Sequence, residues 1–393
     1  MTHRWKRWAA PGVAITAVAL LAACSSGSSS SSSSVAASSS PSSSGTASSG
    51  LATAQQMVQQ LEATTSTYPV PTASISGVSK LKGKTVFYIP LDAHIPGFVV
   101  TAATMKTALA KAGLNFQECD GQANPTSIAA CVSQAQGAKA AGIILDSIPY
   151  GMVENALNTA QGKGIPIIIA DQYPQSSSTP NTDKLTYVEG VVNQPTQIAY
   201  WLIANSVGKA NAIIGEEADS PSSIAYVQNA LPIFKQDCPS CKVEVKQITA
   251  SMSSQQVTAS VTSNLQTDPT ATYYYTEFED SLQSTVAGIQ AAGKASSVGI
   301  EVAGGSTDGL GLLKAGQVKA VVAVDQPYAG WALTDEILRM ITGSAPVTET
   351  FPSRLFDATN IGSIQVTSAA QASGGWFGND SYQAAFESLW GVG

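Results

Sequence analysis

The chain has 393 residues, of which 44% are hydrophobic and only 12% are charged, and its net charge at pH 7 is −7. This acidity argues against nucleic acid or anionic lipid as the main partner. Beyond residue 23 the sequence holds two arginines, Arg339 and Arg354. A guanidinium site for a carboxylate or phosphate is therefore scarce, which favours a neutral ligand.

The first residues of the sequence are typical of an export signal. Arg4, Lys6 and Arg7 precede an apolar run that is shorter than the roughly 20 residues a membrane-spanning helix needs. The run ends in Leu21-Ala22-Ala23-Cys24, which resembles the bacterial lipobox, whose cysteine becomes the lipid-modified first residue after cleavage. The alternative is a cysteine that merely ends an ordinary apolar region.

We therefore predict a signal peptide over residues 1–23, a lipid on Cys24 and an extracytoplasmic location at the cell membrane. No twin arginine is present, which favours the general secretory route. Cleavage removes three basic residues and no acidic one, so the net charge falls from −7 to −10.

A serine tract follows the signal. From Ser25 to Gly50, 17 of 26 residues are serine, a composition that cannot form a packed core. Residues 24–50 are therefore predicted to be a tether, and residues 51–80 an N-terminal extension. The extension is expected to contain a short amphipathic helix over Leu51–Ala63 and extended chain at Tyr68-Pro-Val-Pro71.

Four cysteines remain after Cys24, and an even number in an oxidising compartment suggests two disulfides. The local pairs are Cys119 with Cys131 and Cys238 with Cys241. The Cys-x-x-Cys spacing of the second pair also fits a redox site or half of a zinc site. However, the sequence has no second such motif and, after the signal, one histidine, so a structural clip is favoured and no metal or cofactor is expected.

From Lys84 the sequence alternates between short apolar runs and helical periodicity. Strands are predicted at 85–91, 114–119, 142–145 and 166–170, with helices at 98–112, 126–137 and 153–162. Strands that are apolar throughout and alternate with helices specify a parallel sheet covered on both faces.

The alternation starts again after Asn193. Helices are predicted at 196–206, 222–237, 254–266, 281–292 and 308–315, with strands at 210–215, 241–247, 271–275, 299–302 and 320–324. The sequence therefore predicts two α/β halves, with a ligand cleft lined by the carboxyl ends of the strands.

Four segments resemble the type I periplasmic binding proteins, in particular the ribose- and xylose-like branch. They are Phe87-Tyr-Ile-Pro-Leu-Asp-Ala-His-Ile-Pro-Gly-Phe98, Gly164-Ile-Pro-Ile-Ile-Ile-Ala-Asp171, Ser284-Thr-Val-Ala-Gly-Ile-Gln-Ala-Ala-Gly293 and Ala303-Gly-Gly-Ser-Thr-Asp-Gly309. The resemblance covers roughly Lys82 to Asp357, and the closing segment from Gly375 resembles the tail of actinobacterial lipoprotein members.

The resemblance implies two Rossmann-like lobes with parallel sheets, joined by a three-strand hinge. It places the crossings near Val188–Asn193, Asp325–Tyr328 and Arg354–Asn360. The implied organisation is an N-terminal lobe of 81–190 and 326–355, a C-terminal lobe of 191–325 and 356–372, and a tail of 373–393. The implied function is capture of a sugar as a monomer and delivery to the permease of an ABC importer.

Candidate ligand contacts lie at strand ends. In the first half these are Asp92, His94 and Phe98 after the first strand, and Asp171 and Gln172, where the family usually has an Asp-Arg pair. Phe98 is expected to stack on a sugar ring, although core packing is the alternative. His94 could equally be a solvated loop residue, and Asp171 could cap its loop.

In the second half the resemblance places Gln228 where ribose binders carry arginine and Phe278 where they carry asparagine, with Glu279 beside it. Asp325 stands at the second crossing, and Gly304 takes the place of the usual aspartate. A hinge or surface carboxylate is the alternative for each acid. These departures imply a pocket with fewer charges and make ribose itself a poor expectation.

Catalysis has little support. The sequence has no Gly-x-Ser-x-Gly elbow, and one histidine after the signal leaves little room for a Ser-His pair. A glycosidase that uses Glu277, Glu279 and Asp280 is the remaining enzymatic hypothesis. The main alternative to transport is a receptor lipoprotein that senses a sugar-like or aromatic metabolite.

Overall fold

The computed structural model describes residues 43–190, 193–249 and 251–392. The signal segment, Cys24 and the tether as far as residue 42 lie outside these residues. Within the described ranges, no helix combines the length and the apolar character needed to pass through a bilayer.

The N-terminal lobe is built on a five-stranded parallel sheet with the strand order β2-β1-β3-β4-β5. Its elements are β1 (Thr85–Pro90), α2 (Pro96–Lys111), β2 (Asn115–Glu118), α3 (Pro125–Gly137), β3 (Gly142–Asp146), α4 (Glu154–Gly162), β4 (Ile167–Ala170), β5 (Leu185–Val188) and α10 (Gln326–Thr342). Ile144 and Ile168 pack into one core cluster, and Ile143 and Ile167 pack into another on the opposite face. Helices therefore cover both faces, as the wholly apolar strands predict.

The C-terminal lobe has a six-stranded sheet with the order β11-β10-β9-β8-β6-β7, in which only β11 is antiparallel. Its elements are α1 (Ser43–Glu62), α5 (Gln194–Asn205), β6 (Asn211–Glu217), α6 (Pro221–Asp237), β7 (Lys242–Ile248), α7 (Ser254–Thr267), β8 (Tyr273–Thr276), α8 (Leu282–Ala291), β9 (Gly299–Gly304), α9 (Thr307–Lys314), β10 (Ala320–Val324), β11 (Ser353–Asp357) and α11 (Ser368–Ala372). The α/β fold with two parallel-sheet lobes is thus confirmed.

Local signals start the helices where the sequence places them. Asn124 caps α3 by accepting hydrogen bonds from the backbone N–H groups of Thr126 and Ser127. Ser253 and Gln256 form a capping box at the start of α7. These contacts fix the helix starts to within a few residues of the predicted ones.

The main chain crosses between the lobes after β5, at Asp325 and between Gly343 and Pro352. The third crossing comes earlier than expected. Ser353 already pairs with Val324 in the C-terminal sheet, so residues 353–355 belong to that sheet and not to the N-terminal lobe.

The N-terminal extension and the tail make two further passes between the lobes. Helix α1 packs on the C-terminal lobe through Ala54, whereas Ile75 belongs to the core of the N-terminal lobe. In the tail, Trp376 lies in the C-terminal core, and α12 (Tyr382–Trp390) packs on the N-terminal lobe. The tail therefore lies within both cores and does not form a loose end.

Backbone hydrogen bonds join these two passes to each other. The N–H of Thr65 donates to Phe377 O (2.7 Å), and the N–H of Ile75 donates to Leu389 O (2.8 Å). Arg354 ties both passes to β11, since its Nε donates to Glu62 O (2.8 Å) and its Nη1 to Trp376 O (2.6 Å). The hinge is thus braced by two paired segments in addition to its three crossings.

Both expected disulfides are present in the structure. Cys119 bonds Cys131 with a Cα–Cα distance of 5.7 Å and ties the end of β2 to α3. Cys238 bonds Cys241 with a Cα–Cα distance of 5.3 Å and closes the turn between α6 and β7.

Candidate ligand-binding cleft

The two lobes touch where the loop after β4 meets the first turns of α6. The hydroxyl of Tyr226 donates to Asp171 O (2.6 Å), and the N–H of Tyr173 donates to Ser222 Oγ (3.0 Å). Asn229 Nδ2 donates to the Tyr173 hydroxyl (2.9 Å), and the rings of Tyr173 and Tyr226 lie 5.1 Å apart. The lobes are therefore closed against each other along this line.

Two cavities border the closed interface. One of about 430 Å³ lies at its rim and is lined by Tyr173, Gln175, Pro221, Ser222 and neighbouring residues. The other, of about 200 Å³, lies at the hinge between Glu189, Gln197 and Phe351.

Asp171 and Gln172 lie where the sequence predicts, directly after β4 and at the interface. Both are buried, with 7% and 5% of their surface exposed. Asp171 adopts a left-handed backbone (φ 56°), which is uncommon for a residue other than glycine and directs the chain away from the sheet. Its N–H is held by Val188 O at 2.8 Å.

Asp146, at the end of β3, stands beside Asp171 and was not predicted. The Tyr88 hydroxyl donates to Asp146 Oδ2 at 2.7 Å. Burial raises the pKa of Asp146. Asp146 ends an apolar strand, as Asp171 follows one, so the rule that places ligand contacts at strand ends could have identified it as well.

On the opposite lobe, three glutamates lie at the ends of β6 and β8. Glu277 is fully buried, and its Oε2 accepts the N–H of Glu217 at 2.8 Å. Ser281 Oγ donates to Glu217 Oε1 at 3.2 Å, and Glu216 is also buried. Burial raises the pKa of Glu277 to about 9, and the nearby carboxyl of Glu216 adds to the shift.

Glu279 is engaged within its own lobe. Its two carboxylate oxygens accept the N–H of Ser306 at 2.9 and 3.0 Å. Gly304 leaves the necessary space, because a Cβ there would lie 2.9 Å from Glu279 Cγ. A carboxylate therefore approaches position 304 from the neighbouring loop, although residue 304 itself has no side chain.

The loop after β1 is exposed. Asp92 Oδ1 accepts from the N–H of His94 (2.8 Å) and lies 3.0 Å from His94 Nδ1, while Asp120 Oδ1 accepts from two backbone N–H groups. The hydrogen bond with Asp92 raises the pKa of His94. Asp92, His94 and Asp120 thus form a small polar group on the loop surface.

Phe98 is half-buried in the first turn of α2, and Gln326 lies close to the same turn. Gln326 Oε1 accepts from Thr101 Oγ1 at 2.7 Å. At the second crossing, Gln326 and not Asp325 thus faces this turn.

Asp325 has no exposed surface. Its Oδ2 accepts from the Tyr68 hydroxyl and its Oδ1 from the N–H of Tyr328, both at 3.1 Å. Burial raises the pKa of Asp325 to about 7. This geometry favours the alternative of a hinge carboxylate over the predicted ligand contact.

Gln228 and Phe278 lie outside the line of interlobe contact. Gln228 is exposed on α6, whereas Ser222, Tyr226 and Asn229 of the same helix touch the other lobe. Phe278 is half-buried beside Glu277. The ligand contacts of Gln228 and Phe278 remain predictions. The contacts of Tyr226 and Tyr173 were not predicted, because they depend on how the lobes pack, which the local sequence does not encode.

The comparisons with known proteins agree on one family. The model of the periplasmic binding protein domain matches residues 86–345. No curated protein sequence matches the chain.

Solved structures share the fold at low sequence identity. A solute-binding protein from Agrobacterium vitis with bound allitol has a TM-score of 0.62 at 16% identity and covers 72% of this chain and 98% of its own. The myo-inositol binding protein from Caulobacter has a TM-score of 0.62 at 19% identity, with coverage of 75% and 98%. The 5-methylthioribose transporter solute-binding protein from Thermotoga lettingae has a TM-score of 0.65 at 15% identity, with coverage of 79% and 99%.

The family match spans more than half of the chain, and its limits enclose every strand of the two sheets except β11 and the first residue of β1, together with the line of contact between the lobes and the first two crossings. The chain belongs to the periplasmic binding protein family.

Proposed function

We propose that this protein is a lipid-anchored solute-binding protein that encloses a sugar-class ligand between its lobes and delivers it to an ABC importer. The observation that carries the proposal is the closed contact between strand-end loops of the two lobes, in which Tyr226 of one lobe donates to Asp171 O of the other. Members of this family bind ligands and are not enzymes.

Lobe closure accounts for capture in physical terms. A ligand that contacts both Asp171 and the α6 face stabilises the closed form, because only that form makes both sets of contacts. Closure also excludes water, which strengthens each hydrogen bond to the ligand. Sugars and polyols suit such a site, because their hydroxyls pair with carboxylates and amides while their rings pack on aromatic faces.

Three lines support the ligand class and the partner. The similar structures carry allitol, myo-inositol and 5-methylthioribose, and two of them are described as transporter solute-binding proteins. The Leu21-Ala22-Ala23-Cys24 motif supports the lipid anchor. Few arginines, one of which binds main-chain oxygens of the extension and tail, argue against an anionic ligand.

A thermal-shift screen of the full-length chain in detergent tests the proposal, with monosaccharides, polyols, nucleosides and aromatic metabolites as ligands. A ligand at 100 times its Kd adds about 2.7 kcal/mol of stability, which is readily detected. We expect one sugar or polyol class to raise the Tm and to be recovered unchanged. Conversion of the compound would contradict a binding function. A shift in Tm from aromatic metabolites alone would favour the sensing receptor. Measuring the uptake of labelled ligand by permease-deficient cells then distinguishes sensing from transport.

A further inference from the structure

Every parallel strand except β7 has an acidic residue at or shortly after its carboxyl end. The four residues after β1, β2, β4, β5, β6, β8, β9 and β10 all include Asp or Glu, and β3 itself ends in Asp146. No lysine or arginine occurs among the four residues after any parallel strand. Among these residues the carboxyl groups therefore have no lysine or arginine beside them in sequence, and His94 is the one basic side chain.

The ends of β4, β6 and β8 carry buried polar atoms that lack a hydrogen-bond partner in the described part of the chain. These are Gln172 Oε1 on the N-terminal lobe and Glu216 Oε2, Glu277 Oε1 and the Tyr275 hydroxyl on the C-terminal lobe. Each of these residues is at least nine-tenths buried. Burial raises the pKa of the Tyr275 hydroxyl, and the charges of Glu277 and Glu217 add to the shift.

Acids of both lobes act on Tyr226. After burial, the charge of Asp171 raises the pKa of Tyr226 most, and Glu277 of the other lobe contributes as well. Tyr226 therefore stands between a carboxyl of each lobe. The Tyr173 ring, 5.1 Å from that of Tyr226, adds an aromatic face beside them.

The unpartnered atoms indicate which chemical group of a ligand could pair with them. Buried acceptors need donors, and a buried carboxylate needs a proton or a cation. The protein supplies no basic side chain at the strand ends except the exposed His94. An ammonium group offers three donors and no acceptor, together with the missing positive charge. The scarcity of arginine argues against an anionic ligand and fits a cationic one as well as a neutral one.

We propose that the ligand is a sugar or polyol bearing a protonated amine, which lies between Asp171 of the N-terminal lobe and Glu277 of the C-terminal lobe. The inference rests on the proposed binding function and replaces the wholly neutral ligand predicted from composition. The aromatic faces of Tyr173 and Tyr226 favour the same charge, since a cation is attracted to a ring face.

Proton release is a signature of this arrangement. Glu277, with a pKa raised to about 9, is protonated at pH 7 in the ligand-free protein. It faces Glu216, Glu217, Asp219 and Asp280 of its own lobe and Tyr226 at the interface, none of which is a cation. A bound ammonium favours the carboxylate, so binding at pH 7 should release a proton.

Matched ligand pairs test the proposal: glucosamine with glucose, galactosamine with galactose, and 1-amino-1-deoxyhexitols with the parent hexitols. Affinities are measured on the full-length chain by calorimetry at pH 7 in two buffers of different ionisation enthalpy. We expect at least one amine to bind at least about tenfold more tightly than its hydroxyl counterpart, because charge-assisted hydrogen bonds are the stronger ones. We also expect proton release with the amine and weaker binding in added salt.

Two variants localise the effect. Glu277→Gln keeps the shape and an acceptor for the Glu217 N–H, and should remove the preference for the amine. Glu301→Gln is the matched control, because Glu301 is a fully buried carboxyl of the same sheet that neighbours Lys319 and Gly299 away from the strand ends. It should keep the preference, and a circular dichroism spectrum verifies that each variant is folded.

The possible outcomes separate this inference from the proposed function. Neutral sugars that bind as tightly as their amines, without proton release, would overturn the charged ligand and leave a sugar-binding protein. An amine preference unchanged in folded Glu277→Gln would refute the assigned position. A flat response to every compound would contradict both proposals.

Discussion

The substitution Asp325→Asn tests the hinge carboxylate. Asp325 has no exposed surface, and its hydrogen-bond partners, Tyr68 and the N–H of Tyr328, are both uncharged. Burial raises its pKa from 3.8 to about 7. When a carboxyl has a higher pKa in the folded state than in the unfolded state, the protein loses stability as the pH rises from the unfolded-state pKa to the folded-state pKa.

The magnitude follows from the size of the shift. One pKa unit is about 1.4 kcal/mol, so the raised pKa costs about 2 kcal/mol at pH 5 and about 4 kcal/mol at pH 8. Asparagine has the same shape, caps helices well and carries no charge. The free energy of unfolding of Asp325→Asn, relative to the wild type, should therefore rise by about 2 to 3 kcal/mol between pH 5 and pH 8.

Urea unfolding followed by tryptophan fluorescence at pH 5, 6.5 and 8 and constant ionic strength measures this difference. Asp268→Asn is the control. The hydrogen bond from Thr270 lowers the pKa of Asp268, so its titration lies below pH 5 and the difference from wild type should not change over the range. A difference for Asp325→Asn that is also constant from pH 5 to pH 8 would refute the reasoning.

Three further predictions concern the ligand, the tail and the anchor. Asp171→Ala should weaken ligand binding at least about tenfold, or 1.4 kcal/mol, by calorimetry, and unchanged affinity would remove Asp171 from the site. Trp390→Ala should cost about 3 to 5 kcal/mol in urea unfolding, since Trp390 stacks on Trp331 at 5.5 Å and donates to Asp335 at 2.7 Å. A loss below about 1 kcal/mol would show that the tail is not part of the core. Cys24→Ser should move the protein from the membrane to the soluble fraction, and retention in the membrane would contradict the lipid anchor.

The strands of both sheets follow from local sequence because burial on both faces demands uninterrupted apolar residues. The apolar runs around Ile144 and Ile168 therefore predict buried strands, and both residues lie in the core. Helix α1 was predicted from the spacing of Leu51, Val58 and Leu61, although it begins earlier, at Ser43, than the serine-rich composition suggested. Short β5 and antiparallel β11 were missed, since neither belongs to a strand-helix-strand unit.

The brace across the hinge was beyond sequence reasoning. Tyr68 reaches Asp325, 257 residues away, and Arg354 binds the oxygens of both Glu62 and Trp376. Such contacts depend on how the termini fold back over the hinge. The local pattern showed only aromatic residues in an extension and a tail.

The candidate site was predicted in part. Asp171 and Gln172 follow from the rule that parallel strands present ligands at their carboxyl ends. Tyr226 becomes prominent only when the lobes close, because its hydroxyl donates to Asp171 O of the other lobe. Glu277 directly follows β8, and the sequence singled it out only for the glycosidase hypothesis. The sequence therefore predicts which edge of the sheet forms the site, and the closed arrangement of the lobes determines which residues of that edge make contact.

Calorimetric titration of the purified full-length chain, with the compound that gives the largest thermal shift, tests the central claim most directly. We predict saturable binding of one ligand per chain, loss of at least tenfold in affinity for Asp171→Ala, and full recovery of the compound. Absence of saturable binding across the sugar and polyol panel, or chemical conversion of the compound, would contradict a solute-binding function.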